Sequence, residues 1–114
     1  MLRLLEKVPG FYEESLELVR DFKIKKLKVK NILFCGMGAS GIVGDLVKDY
    51  LYDEIKVPII VNKNSEVPEF VNKDTLVFII SYSGKSKETL KCYRKCKLKR
   101  AKIIGITANK NLRF

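Results

Sequence analysis

Residues 75–89, TLVFIISYSGKSKET, change abruptly from apolar to hydroxyl-bearing side chains. The first part is a run of β-forming residues, as expected of a strand buried on both faces of a parallel sheet. Three serines, a glycine and a lysine follow, and a helical pattern leads away from them. A helix that begins directly after a strand presents unpaired backbone N–H groups and the positive end of its dipole. This stretch therefore predicts an anion site, most often used for a phosphate.

Apolar segments alternate with helical patterns along the chain, and this alternation predicts an α/β fold. A helix from Pro9 to about Phe22 and a lysine-rich connector make up residues 1–30. Further elements are expected as strands at 31–35, 57–61, 75–81 and 101–107, and as helices at 42–52 and 86–98. Their order predicts a parallel sheet in a three-layer αβα sandwich. Because only residues 108–114 follow the fourth strand, we expect one domain, 1–114, with its sheet cut short there.

The first predicted helix has an apolar side, formed by Phe11, Tyr12, Leu16, Leu18, Val19 and Phe22. Pro9 suits the first helical position, where a missing N–H costs nothing. The connector that follows alternates apolar and basic residues. We expect it to be a solvated segment rather than a nucleic-acid or membrane patch, with inward-turned Ile24, Leu27 and Val29.

Length and composition indicate a small protein without a membrane span. The 114 residues are 46% hydrophobic, enough to form a core, and no apolar run approaches the ~20 residues that cross a bilayer. The segment from Met1 to Lys7 lacks the layout of a signal peptide. A cytoplasmic protein is therefore expected.

The net charge of +10 is compatible with three explanations. They are a nucleic-acid partner, a small anionic substrate, and the lysine-rich surface common in proteins from hot environments. The basic run from Lys91 to Lys102 contains only Tyr93 as an interleaved aromatic, which is poor material for stacking bases. A nucleic-acid partner is therefore the less favoured explanation.

Three cysteines and no histidine limit the possible chemistry. Without histidine, this chain has no imidazole for acid–base catalysis or for a zinc site. An odd number of cysteines without a secretion signal indicates reduced thiols. Cys92 and Cys96 stand four residues apart on a predicted helix and need further ligands to hold a metal. Because Cys35 lies inside a predicted strand, we expect small, partly buried thiols and no metal.

The glycines of Gly36-x-Gly38-x-x-Gly41 match the dinucleotide-binding fingerprint between a strand and a helix. Such a site needs an acidic residue at the end of the second strand, and residues 61–64 read VNKN. Two interpretations remain. The glycines can let a ligand approach the backbone with Ser40 supplying a hydroxyl, or they can form a tight turn that Ser40 caps without a ligand.

A nucleotide-binding P-loop is excluded at the second loop. Gly84-Lys85-Ser86 has the form of its end, but the motif requires a glycine five positions earlier, where this chain has Ile79. Both loops follow parallel strands and so leave the same edge of the sheet. If the first and third strands are neighbours, the loops form one crevice, which is suited to a phosphorylated polyol.

Taken together, GMGASGIVGD (36–45) and SYSGKSKETL (81–90) resemble the sugar isomerase, or SIS, domain. The similarity is strongest to the bifunctional phosphoglucose/phosphomannose isomerases, whose members read much like GMGGSAIGGD and SYSGNTEET. The resemblance extends from about residue 8 to 112. It implies a flavodoxin-like domain and aldose–ketose isomerisation of glucose, fructose or mannose 6-phosphate through a cis-enediol, with no metal or organic cofactor.

The resemblance also implies which residues bind the substrate. Gly38, Ala39 and Ser40 would line the sugar pocket, and the phosphate would be held by Ser81, Ser83 and Ser86, with Thr89 close by. Ala39 stands where the family usually has glycine, and Ser86 where it usually has threonine. Lys85 and Lys87 make the loop more positive than is usual in the family.

No catalytic base is evident in this chain. Family enzymes use a glutamate, a histidine, a lysine and an arginine that lie beyond the part that this chain resembles. Glu88 stands at a helix start and is better explained as a partner of the helix dipole. Two alternatives to part of an isomerase therefore stay open: a sugar-phosphate sensor without catalysis, and a basic nucleic-acid-binding protein. We also expect a homodimer, or pairing with a second SIS domain.

Overall fold

The structure is a computed structural model, which describes residues 2–23 and 25–112. Its fold is an α/β sandwich. Within these ranges the chain forms three helices and four strands. In chain order they are α1 (Leu2–Arg20), β1 (Asn31–Cys35), α2 (Ala39–Tyr50), β2 (Ile59–Asn62), β3 (Thr75–Ile80), α3 (Lys87–Leu98) and β4 (Lys102–Ile106). No helix of this part of the chain combines the length and apolar character that crossing a bilayer requires.

The four strands form one parallel sheet in the order β2-β1-β3-β4. β1 lies at the centre beside β3, with Phe34 opposite Phe78 in the register of the two strands. The chain passes from β1 to β2 through α2, and then returns across β1 to reach β3. The parallel sheet, the α/β class and the neighbouring first and third strands are therefore confirmed.

Each face of the sheet carries its own apolar core, because side chains alternate along a strand. Leu33, Cys35, Val77 and Ile79 point to the face that α3 covers, where Cys92 and Cys96 meet them. Phe34 and Phe78 point to the opposite face, which is covered by Val47 of α2 and by Leu51, the C-cap of this helix. Their rings stack with centroids 4.8 Å apart. These two cores give the predicted three layers.

A glycine on α2 allows this helix to lie close against the sheet. A Cβ atom at Gly44 would come within 2.7 Å of the Cβ of Phe34 and within 3.1 Å of Cγ1 of Val61. The first distance is shorter than carbon atoms tolerate and the second is tighter than most carbon contacts, so the helix–sheet spacing at this point depends on the absence of a side chain.

The first helix differs from its prediction in two ways. It begins at Leu2 rather than Pro9, and Pro9 lies inside it. Its apolar side is also largely exposed: Tyr12, Leu16 and Leu18 are 70%, 68% and 83% accessible. A groove against the sheet at Phe78 and Ile104 is bordered by the end of the helix, at Leu18 and Val19, and by Phe22 just after it. Amphipathic spacing shows which side of a helix is apolar, but not whether anything in the chain covers it.

The connector is partly as predicted. Leu27 and Val29 are half-buried, whereas Ile24 lies outside the described residues. Elsewhere, β1 has its predicted bounds. β2 begins at Ile59 instead of Val57, and the N–H of Ile32 bonds to the carbonyl of Pro58 just before it.

Basic residues of α3 pair with acidic residues in the connection between β2 and β3. The carboxylate of Glu66 accepts hydrogen bonds from Lys91, at 2.5 Å, and from Lys95. Glu69 faces Lys99 at 3.5 Å. The hydrogen bond from Lys91, and to a lesser extent the one from Lys95, lowers the pKa of Glu66 to about 2. These pairs link the connection between β2 and β3 to α3. They also engage lysines of the basic run from Lys91 to Lys102, on which a nucleic-acid-binding surface would depend.

Substitution of Gly44 by alanine should destabilise the fold. Overpacking against Phe34 costs about 1–3 kcal/mol, which exceeds the gain of up to about 1 kcal/mol from the better helix former. The free energy of unfolding in urea measures the effect.

Gly10 provides the matched control, because a Cβ there has nothing within 4 Å. Gly10→Ala should leave stability unchanged or raise it by up to about 1 kcal/mol. Equal effects of the two substitutions would contradict the close contact at Gly44.

Candidate functional site

The two predicted loops meet at the carboxyl edge of β1 and β3, as the strand order requires. Between them lies a cleft of about 220 Å³. Most of its lining residues carry a hydroxyl group. They are Met37, Ser40, Ile80, Ser81, Tyr82, Ser83, Ser86 and Thr89.

The glycine loop, residues 36–41, folds tightly back on the start of α2. A Cβ at Gly36 would lie 2.8 Å from the carbonyl oxygen of Ser40, and Gly38 has a φ of 55°. The N-cap of α2 is Gly38, which makes no side-chain capping bond. Ser40 is therefore not the cap that the ligand-free interpretation of this loop assigns to it. It lies in the first turn of α2, half-buried, and lines the cleft.

The serines of the second loop hold their own backbone in place. Oγ of Ser81, which is buried, accepts a bond from the N–H of Gly84 at 3.0 Å. Oγ of Ser83 accepts one from the N–H of Lys85 at 3.1 Å. Both hydroxyl oxygens act as acceptors here, so the hydrogen of each hydroxyl stays available for an anion.

Ser86 is the N-cap of α3, one position before the helix begins. Its Oγ accepts bonds from the N–H of Thr89 at 3.3 Å and from the hydroxyl of Thr89 at 3.1 Å. It also donates to the carboxylate of Glu88 at 3.2 Å. The cap therefore has one hydrogen that can be given either to Glu88 or to a bound anion.

Glu88 stays ionised at the start of the helix. The pKa of this carboxyl lies below its usual range. The main cause is a hydrogen bond from its own backbone N–H, and the hydroxyl of Ser86 and the charge of Lys87 contribute less. A general base works best with a pKa near the working pH. The structure thus supports the dipole role expected for Glu88 over a catalytic one.

Residues after β4 form hydrogen bonds with the serine loop, residues 81–86, and sequence reasoning missed them. The side-chain amide of Asn109 donates to the carbonyl of Ser83 at 3.0 Å, and the N–H of Ala108 donates to that of Tyr82 at 3.2 Å. Gly84, at a φ of 66°, packs so closely on Leu112 that a Cβ would lie 2.5 Å from its side chain. One signal in the sequence could have identified these residues. β3 and β4 were predicted as strands of one parallel sheet, so the segments that follow them leave the sheet at the same edge.

The structure brings together five of the seven residues predicted to bind substrate, namely Ser40, Ser81, Ser83, Ser86 and Thr89. Gly38 and Ala39 do not line the cleft. They are exposed at the N-terminus of α2 and form the turn that positions Ser40.

A larger depression, of about 740 Å³, lies along α1. Its lining includes Glu13, Glu14 and Glu17, whose charges repel a phosphate. The hydroxyl-lined cleft is therefore the better anion site.

The three cysteines differ from their prediction. All are fully buried rather than partly buried, and Cys35 joins Cys92 and Cys96 although it lies in a strand. Their sulfur atoms all lie within 4.8 Å of one another. The sequence argument failed because Cys35, the last residue of β1, points to the face of the sheet that α3 covers and there meets the middle of this helix.

The chain thus has a parallel α/β fold, with a hydroxyl-lined site where two strand–helix loops meet. The model of the SIS domain family matches residues 27–112, and the chain belongs to this family.

Its relatives include bifunctional phosphoglucose/phosphomannose isomerases. The one from Caldicellulosiruptor bescii is 33% identical over 115 residues, covering 99% of this chain and 34% of that protein. The one from Aquifex aeolicus is 36% identical over 115 residues, covering 98% of this chain and 35% of that protein. This chain therefore spans about a third of the length of the curated relatives that it matches.

The fold is also found in solved structures. The crystal structure of tagatose-6-phosphate ketose/aldose isomerase from Escherichia coli matches with a TM-score of 0.62 at 19% identity. The match covers 96% of this chain and 31% of that one. At this identity the likeness concerns the fold alone.

Replacing Ser86 with alanine removes the cap of α3. We expect a loss of about 1 kcal/mol in the free energy of unfolding, as for other N-caps. The pKa of Glu88 should rise toward its ordinary value, because the hydroxyl that bonds its carboxylate is gone. Urea unfolding and NMR titration of the Glu88 side chain measure the two effects.

The two effects are linked through pH. A carboxyl with a lowered folded pKa stabilises the fold above its unfolded pKa, and this stabilisation is lost as the pH falls through the folded pKa. Stability should therefore decline less between pH 6 and pH 3 in Ser86→Ala than in the unaltered chain. An unchanged Glu88 titration in the variant would contradict the assigned bond.

Proposed function

We propose that this chain is the hexose-phosphate-binding part of a bifunctional phosphoglucose/phosphomannose isomerase. The observation that carries the proposal is the cleft itself, in which hydroxyl groups from two loops converge at the N-termini of α2 and α3. Relatives of that name are 33% and 36% identical to this chain over nearly its whole length. Glucose, fructose and mannose 6-phosphate are the proposed ligands.

The phosphate would bind at the serine loop. The first turn of α3 offers backbone N–H groups that have no partner within the helix, and its dipole favours a negative charge. The hydroxyls of Ser81 and Ser83 can donate to phosphate oxygens because they accept, rather than donate, in the unbound loop. Lys85 and Lys87 flank the loop and are exposed, so they add positive charge around it.

The sugar would extend from the phosphate toward the glycine loop. Ser40 is the hydroxyl that this loop contributes to the cleft, and Met37 lies beside it. The tight turn at Gly36 and Gly38 sets where Ser40 stands. Gly38 and Ala39 would act through the shape of this turn and through backbone groups at its exposed side.

Binding and isomerisation would be divided between parts of a longer enzyme. Moving a proton between C1 and C2 of a hexose phosphate requires a base near its working pH, and the residues lining the cleft include no carboxylate. Glu88 lies beside the cleft with a lowered pKa. In this proposal the base comes from the remaining two-thirds of such an enzyme, with which this domain pairs.

Calorimetry of the chain with fructose 6-phosphate should show binding, and Ser83→Ala should weaken it. Loss of one hydrogen bond to a charged group costs about 1.5–3 kcal/mol, which corresponds to roughly 10- to 100-fold in Kd. Glucose without phosphate should not bind measurably, because the proposed contacts are mainly to the phosphate.

Ser15→Ala is the matched control. Ser15 is an exposed serine of α1 whose hydroxyl bonds to the carbonyl of Phe11, away from the cleft. Its replacement should leave binding unchanged. The proposed site would be refuted if none of the three hexose phosphates bound, namely glucose 6-phosphate, fructose 6-phosphate and mannose 6-phosphate.

Turnover is a separate prediction. In a coupled assay the 114-residue chain should not interconvert glucose 6-phosphate and fructose 6-phosphate, even at ligand concentrations that saturate calorimetry. Turnover abolished by Glu88→Gln would show that the base lies in this chain after all. Binding without turnover is also expected of a sensor domain, so the two are told apart by activity when the chain is joined to the remaining two-thirds of the Aquifex aeolicus relative.

A further inference from the structure

We propose that Cys35, Cys92 and Cys96 form a three-coordinate site for monovalent copper. The proposal does not rest on the sugar-phosphate function. It rests on the three sulfur atoms, which belong to β1 and α3, are fully buried and all lie within 4.8 Å of one another.

The geometry fits an ion at the centre of the sulfur triangle. Three atoms separated by at most 4.8 Å have a common point at most 2.8 Å from each, which is 4.8 Å divided by √3. Bonds from metal to thiolate measure about 2.3 Å, so at the largest separation that 4.8 Å allows each sulfur would move inward by about 0.5 Å. A disulfide requires two sulfurs only about 2.05 Å apart. All three cysteines are free, so no two of these sulfurs are bonded to each other.

The chemistry of the donors selects a soft ion of low coordination number. Thiolates favour copper(I), zinc and iron–sulfur clusters. Structural zinc takes four ligands, and among the described residues no other cysteine or carboxylate joins these three. A three-sulfur site without a fourth ligand therefore suits copper(I) best.

A polar group stands beside the sulfur atoms. The side-chain amide nitrogen of Asn62 lies 3.8 Å from the sulfur of Cys92 and 3.9 Å from that of Cys35, and it also donates to the carbonyl of Glu66 at 2.9 Å. Copper(I) would replace the S–H protons of the three thiols, which pass to solvent, and its oxidation state would not change.

A bound ion would connect the two elements that carry the cleft. Cys35 is the last residue of β1 and directly precedes the glycine loop. Cys92 and Cys96 lie in α3, which begins at the serine loop. The ion would therefore cross-link β1 to α3 through the core and stabilise the folded domain.

The test is an anaerobic titration of the fully reduced chain with copper(I), supplied as a complex of a weaker chelator. We expect one equivalent to bind, with thiolate-to-copper charge-transfer absorption and a rise in Tm of at least about 5 °C. X-ray absorption should show three sulfur neighbours at about 2.3 Å.

Cys96→Ser and Cys35→Ser should each weaken copper binding by at least about 100-fold, since loss of an outer-shell partner alone costs 10- to 100-fold. Cys96→Ala keeps the site apolar if the serine variant does not fold. Ser83→Ala, which alters the cleft and no cysteine, should bind copper unchanged.

Three results would overturn the proposal. One is unchanged copper affinity in folded Cys96→Ser or Cys96→Ala. Another is an X-ray absorption spectrum with fewer than three sulfur neighbours. The third is a reduced chain that takes up no copper but forms a disulfide among these cysteines in air, which would make the cluster a redox pair.

Discussion

The hydroxyl-lined cleft depends on the adjacency of β1 and β3 in the sheet. These strands are far apart in sequence, but the register pairs Asn31 with Thr75 and Cys35 with Ile79. Both strands run in the same direction, so the loops that follow them leave the sheet at the same edge. The stacked rings of Phe34 and Phe78 lie between this pairing and α2, and tie the strands to the helix layer. If either strand were shifted or displaced, the two loops would no longer share one cleft.

Small residues make the remaining geometry possible. Gly44 lets α2 approach Phe34, and Gly84 lets the serine loop turn against Leu112. Among the glycines that the structure describes, Gly38 and Gly84 have a positive φ, which glycine adopts without strain. The hydroxyls then serve two purposes: they bond to their own loop's N–H groups, and they keep hydrogens available for a ligand. A site built in this way is prepared for an anion before the anion arrives.

Sequence patterns predicted the sheet better than its surroundings. β1 was predicted with its observed bounds, because a short apolar run between polar residues has few alternatives. α1 was predicted poorly, because Pro9 suggested a helix start and periodicity gave no information about burial. In the site, the three serines of the second loop were identified from composition and position. Ser40 was found in the cleft but not as a cap, and the support from Asn109 and Leu112 was missed, since nothing local marks those residues.

The sequence by itself determined the class of fold, the order of the elements and the loops that would meet, because periodicity and turn residues act over short distances. Tertiary structure alone decided which distant groups came into contact. It placed residues 107–112 behind the serine loop and brought Cys35 to Cys92 and Cys96 across a strand–helix interface. Such contacts depend on strand order and on the spacing between layers. Those are properties of the packed chain, and no local pattern encodes them.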